Sequence, residues 1–126
     1  MSRLFSGFAI KCEKMIIKKK DRIKHENSRQ CIAYEYPIDD RDINIAFVEI
    51  DGRYPDKGYA INKKVKELVF VLDGSGLITI EKDVYKLEKG DVVLILPNTK
   101  FFWNGKLKVL ASCAPAWSME QYRRFE

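Results

Sequence analysis

Apolar residues in this chain come in short bursts, and no helical period is sustained before residue 117. The bursts fall at 31–36, 43–50, 58–62, 67–72, 77–81, 84–87, 92–96, 100–103 and 106–111. Each is rich in Val, Ile, Leu, Tyr or Phe, the side chains that suit a pleated surface. Turn signals separate them. Asp51-Gly52, Asp73-Gly74-Ser75-Gly76 and Lys89-Gly90-Asp91 supply glycines able to take positive φ. Asn104-Gly105 reads as a two-residue hairpin, because a type I′ turn needs positive φ at both centres. Pro97 follows a strand, where a missing N–H does least harm. This pattern predicts an all-β fold, a small antiparallel barrel closed or nearly closed on itself, with no long exposed edges. After the last strand, Ser118-Met119-Glu120-Gln121 has the form of a capping box and predicts a short C-terminal helix.

At 126 residues the chain is one domain with room for a core, and 46% hydrophobic content is that of a globular protein. Its apolar runs are too short for a membrane helix, which needs about 20 residues. The N-terminal ten residues lack the form of a cleaved signal, and Met15 is a second candidate start. Three cysteines, Cys12, Cys31 and Cys113, show no metal-type spacing and suit a reducing, cytoplasmic compartment. The net charge of +5 is uneven. Residues 11–29 hold eight basic side chains against three acidic ones, and the remainder is nearly neutral. This predicts a basic N-terminal arm over residues 1–29 and a barrel over residues 30–126. A basic arm can hold nucleic acid or an anionic lipid surface. No aromatic residues interleave with these lysines to stack bases, so the arm is read as a solvated outer segment, with no nucleic-acid or membrane partner.

Two segments carry more specific information. Glu67 is followed by apolar residues to Leu72, then Gly74 and Gly76. Gly90-Asp91 is followed by the apolar stretch 92–96, then Pro97, Phe101 and Trp103. In this order and spacing, they resemble the two motifs of the cupin superfamily, small jelly-roll barrels with an internal pocket. Many cupins hold a metal there with histidines and a glutamate. The resemblance places Glu67 at the glutamate position. The histidine positions fall on Ile61 and Lys63, or on Ala60 and Asn62, and on Phe101. The single histidine, His25, lies in the basic arm, outside both motifs. One carboxylate does not make a zinc or iron site, which draws on three or four ligands, and Lys63 adds unfavourable positive charge. The expectation is therefore a pocket with no metal and no cofactor.

Alternation along a strand fixes what lines that pocket. With Glu67 inward, Val69 and Val71 follow; with Phe101 inward, Trp103 follows. Asn62 and Lys63 lie nearby, and Tyr34 and Tyr36 are candidate phenolic groups at the mouth. An apolar, aromatic pocket with a few polar groups is the usual make-up of a small-molecule site. Phe101 and Trp103 as simple barrel filling is the competing reading, as is packing of Trp117 under the barrel. Three functions are weighed. The leading one is metal-independent binding of a sugar-like or organic-acid ligand by Tyr34, Tyr36, Asn62, Lys63, Glu67, Phe101 and Trp103. The alternative is a metal-free isomerase, epimerase or lyase with Glu67 as acid or base. The third is a scaffold acting through the basic arm. The resemblance also implies a homodimer paired through arms and sheet edges.

Overall fold

The computed structural model describes residues 15–126, so Cys12 and the first half of the expected arm lie outside the described residues. After a 3-10 turn at Lys19–Asp21 come nine strands: β1 Ile23–Ser28, β2 Cys31–Tyr36, β3 Asn44–Tyr54, β4 Tyr59–Asn62, β5 Lys66–Ile80, β6 Asp83–Glu88, β7 Val92–Ile95, β8 Phe101–Ala114 and β9 Tyr122–Phe125. They form one antiparallel sheet. Its main path runs β1-β2-β3-β8-β4-β9, and β5 attaches to β8 and carries β6 and β7 on its other side. Among the described residues, no helix is long and apolar enough to cross a membrane.

The all-β expectation holds, with three corrections. First, the sheet does not close by hydrogen bonds. It curls into a half-barrel that leaves β1, β6, β7 and β9 as free edges among the described residues. Second, two turn signals lie inside strands. β5 runs through Asp73-Gly74-Ser75-Gly76, and β8 runs through Asn104-Gly105. The two strands pair along their whole lengths, from Lys66↔Ala114 to Ile80↔Phe101. A long-range ladder of that length outweighs a local two-residue turn preference. The glycines serve close approach instead. Gly52, Gly105 and Gly76 lie side by side in register across three strands. A Cβ on Gly105, whose φ is +142°, would sit 2.5 Å from the Gly76 Cα. Third, the C-terminal helix is only a 3-10 turn at Met119–Gln121. Ser118 is extended and makes no capping bond. The chain continues into β9, which pairs with β4 from Tyr59↔Phe125 to Asn62↔Tyr122.

The sheet starts at Ile23, within the stretch expected as an arm. β1 pairs with β2, which places His25 opposite Ala33. The core fills the inside of the curl. Val69, Val71, Ile78, Ile95, Leu107 and Val109 are fully buried there. Phe101 and Trp103 face the same side and are buried. Cys31 and Cys113 are free thiols, both buried.

Candidate functional site

One end of the curl is not filled. A cavity of about 360 Å³ lies between the inner faces of β2, β3, β5 and β8 and the Trp117–Tyr122 segment. Val69, Phe101, Trp103, Val109 and Ala111 give it apolar walls. Glu67 reaches it from the start of β5, with Cys113 as its neighbour in the β8 ladder. Tyr54 and Tyr122 join hydroxyls at 2.8 Å on another wall. At the mouth, His25 Nε2 and Glu35 Oε1 are 3.3 Å apart.

The polar end of the cavity is built around Asn62, which is 1% exposed. Its amide oxygen accepts from Trp117 Nε1 at 3.0 Å and from Gln121 Nε2 at 2.9 Å. Two donors on that oxygen fix the orientation of the amide, so Nδ2 must donate. It donates to Glu67 Oε1 at 3.2 Å. Gln121 is held in turn, its carbonyl oxygen accepting from the backbone N–H of Lys64 and of Val65. The capping-box glutamine therefore buttresses the site. With Oε1 committed as an acceptor, a proton on Glu67 resides on Oε2.

The surroundings decide the protonation states. Burial pushes the Glu67 carboxyl up to about 7, against the opposing pull of the Asn62 hydrogen bond. Glu67 is half-buried and lines the cavity. Burial likewise raises the Cys31 thiol, to about 11, and the negative charge of Glu67 adds to this while the Asn27 hydrogen bond opposes it. Cys113 is raised by burial and then by the charges of Glu67 and Glu35. Burial raises Tyr54 and Tyr122 as well. Near neutral pH the thiols and phenols here are protonated, and Glu67 exchanges its proton.

The residues singled out in the sequence divide cleanly. Glu67, Phe101 and Trp103 face the cavity, and Asn62 holds Glu67 from behind. Lys63 is exposed, and the partner of Glu67 is Asn62 instead. Tyr34 and Tyr36 lie on the opposite face of β2 from Cys31, Ala33 and Glu35, which line the cavity. There Arg22 stacks over both rings, 4.7 Å from the centroid of Tyr34 and 5.8 Å from that of Tyr36. The phenols of the site are Tyr54 and Tyr122. His25 stands at the cavity mouth despite its distance from the motifs in sequence. Trp117 both packs and donates into the site. Tyr122 was hidden by the helix expectation; as a strand residue opposite Asn62 it points inward.

A metal of the kind many cupins carry does not fit these residues. The oxygen of Asn62 is already occupied, its nitrogen donates to Glu67, and Phe101 offers no ligand atom. Among the described residues, no three His, Cys, Asp or Glu side chains come together as a ligand set.

Comparison with known proteins gives the fold its name: the chain has a cupin-like fold. It superposes on the Streptomyces nucleoside dehydratase Pac13 with a TM-score of 0.80 at 15% identity, covering 88% of this chain and 90% of that one. The cupin domain of Schizosaccharomyces pombe Cnp3 gives 0.60 at 13% identity over 70% of this chain and 66% of that one. In sequence, an uncharacterized protein of Methanocaldococcus jannaschii is 32% identical over 59 residues, 44% of this chain and 47% of that protein. The match thus spans about half the length of the curated relative. No family model matches the chain.

Proposed function

We propose that the cavity binds a small organic molecule with an apolar face and hydrogen-bonding groups, sugar-like or an organic acid, without a metal. The observation that carries this reading is Glu67, a carboxyl group held by Asn62 inside an aromatic cavity of about 360 Å³. That volume is within the range of small-molecule sites. A buried carboxyl with one protein partner has hydrogen-bonding capacity left over, and a ligand hydroxyl or carboxyl satisfies it. Trp103 and Phe101 offer faces on which a ring can stack. The nucleoside dehydratase among the structural neighbours, solved with uridine in several forms, supports a polar ring as ligand. The test is a thermal-shift and calorimetric screen of sugars, sugar acids, nucleosides and organic acids, run with and without EDTA. A stabilising ligand is expected, its affinity unchanged by the chelator and lost in Glu67→Gln. A screen in which nothing binds, or binding that the chelator abolishes, overturns the reading.

A second reading is favoured by the position of the Glu67 carboxyl near neutrality, which is where a general acid or base works best. The alternative is a metal-free isomerase, epimerase or lyase. Glu67 exchanges the proton at Oε2, and the Tyr54–Tyr122 pair supplies a neutral phenol to the same cavity. For any turnover found, Glu67→Gln is expected to lower kcat by at least about 100-fold. Turnover that survives this change removes Glu67 as the acid or base.

A further inference from the structure

The cavity is uneven in charge and in hydrogen-bonding groups. The chain carries 23 lysines and arginines, yet among the described residues none of them lines the cavity. The charged groups that do are Glu67 at the polar end and Glu35 at the mouth, with His25 beside Glu35. Arg124 comes to 6.0 Å from the centroid of the Tyr54 ring but is exposed and outside the lining. The donors of the polar end are already spent. Trp117 Nε1 donates to Asn62, and Gln121 Nε2 donates to Asn62 and to the Ser118 carbonyl. Asn62 Nδ2 donates to Glu67 Oε1. The Tyr54–Tyr122 pair spends one of its two O–H groups on the other. Acceptors are left over, because Glu67 Oε2 has no hydrogen-bond partner among the described residues. A ligand carboxylate or phosphate would meet two carboxyl groups and no fixed cation, a costly setting for an anion.

We propose that the ligand carries a protonated amine, which Glu67 receives at Oε2 while Phe101 and Trp103 cover the ligand's apolar body. This rests on the reading of the cavity as a small-molecule site, and narrows its ligand from sugar-like or acidic to amine-bearing. An ammonium group has donors and no acceptor, the complement of what the polar end has left. Its bond to a carboxylate is charge-assisted, and aromatic faces attract a cation. The pairing also links binding to a proton. The Glu67 carboxyl of the free protein exchanges its proton at about 7. A neighbouring ammonium favours the carboxylate, so binding below that pH expels the proton from Oε2. The titratable groups sharing the cavity with Glu67 are Cys113 on β8, Cys31 and Glu35 on β2, His25 on β1, Tyr54 on β3 and Tyr122 on β9. The thiols and phenols keep their protons in this range. Imidazoles as a class change charge between roughly pH 5 and 8, so His25 is the necessary control.

The test is calorimetry with two matched sets of probes: glucamine, sorbitol and gluconate, and benzylamine, benzyl alcohol and benzoate. At pH 8 an amine is expected to bind about 10- to 100-fold more tightly than its alcohol, and the acid more weakly than either. Amine affinity is expected to rise by roughly 10-fold from pH 6 to pH 8, with a proton released at pH 6 that buffers of different ionisation enthalpy reveal. Glu67→Gln is expected to weaken amine binding and abolish the rise, whereas His25→Gln retains it. Circular dichroism checks that both variants are folded. An alcohol or acid that binds as tightly as its amine overturns the inference and leaves the small-molecule site standing. A rise that survives Glu67→Gln, or disappears in His25→Gln, also overturns it by placing the proton on another group. If none of the six probes and nothing in the wider screen binds, the inference falls together with the reading beneath it.

Discussion

The two faces of β5 make opposite use of similar side chains. Inward, Glu67, Val69 and Val71 meet a curled wall that buries the valines completely and encloses a carboxyl group. Outward, Leu68 and Phe70 are larger and more apolar than the valines behind them, yet stand about half exposed. The concave face gains its burial from curvature, because β3, β5 and β8 bring their inner side chains together over a short radius. The convex face spreads its side chains apart and leaves them open among the described residues. A strand that is apolar on both sides belongs to a sheet covered on both sides. Here the inside is covered by the fold itself, and the outside stays open among the described residues. The odd group is therefore the inner carboxyl, and its setting accounts for its proton affinity.

Changes on the two faces should separate this contrast. The largest effect belongs to the concave side: Trp103→Ala, at a site 5% exposed, is expected to cost about 3–5 kcal/mol in urea unfolding. A loss under about 1 kcal/mol would show that the indole contributes to a ligand site more than to the core.

The pH dependence comes next. The Glu67 carboxyl takes up a proton more readily folded than unfolded, at about 7 against an ordinary 4.5. The folded state therefore binds the extra proton between those values. Its stabilising contribution is complete below pH 4.5, declines as pH rises, and is lost above about 7. Roughly 2–4 kcal/mol of stability should fade across that window. In Glu67→Gln the decline should vanish; a parent and variant with parallel stability profiles would place the titration elsewhere.

Asn62→Ala is expected to cost about 1–3 kcal/mol, because it strips Trp117 and Gln121 of their buried acceptor. It should also raise the Glu67 carboxyl further, since the one opposing influence is removed. Carboxyl carbon NMR reads that shift directly, and a fall would contradict the assigned direction of the bond. The smallest effect belongs to the convex side. Leu94→Ala should change unfolding by no more than about 0.5 kcal/mol. A larger loss would mean that this face is packed within one chain after all.

Much of the fold was legible in sequence, and most clearly where short-range and long-range preferences agree. β2 falls at 31–36 as its alternation indicates, and β6 and β7 lie within two residues of their apolar runs. Inward placement of Glu67, Val69, Val71, Phe101 and Trp103 also follows from alternation once one member is fixed. The failures come where the two scales conflict. Asp73–Gly76 and Asn104-Gly105 carry turn residues, but β5 and β8 hold each other through both. Ser118–Gln121 carries a helix start, but β4 offers β9 a ladder. Tyr34 and Tyr36 have the chemistry of a pocket mouth on the wrong parity of β2, and only the registration of that strand shows it.

What the sequence determined by itself is the all-β character, the apolar segments from which most strands are built, the glutamate at the head of the first motif, and the absence of histidines from that motif. Those depend on residue type and on a period of two, which any short stretch carries locally. The tertiary structure alone decided that Asn62, Gln121, Trp117 and Tyr122 meet around that glutamate, and that His25 comes to the mouth. Asn62 and Gln121 are 59 residues apart in the chain and 2.9 Å apart in space. Such a contact is set by which strands pair and in what register, and no local pattern encodes that choice. It follows from burying the inner faces of the whole sheet at once.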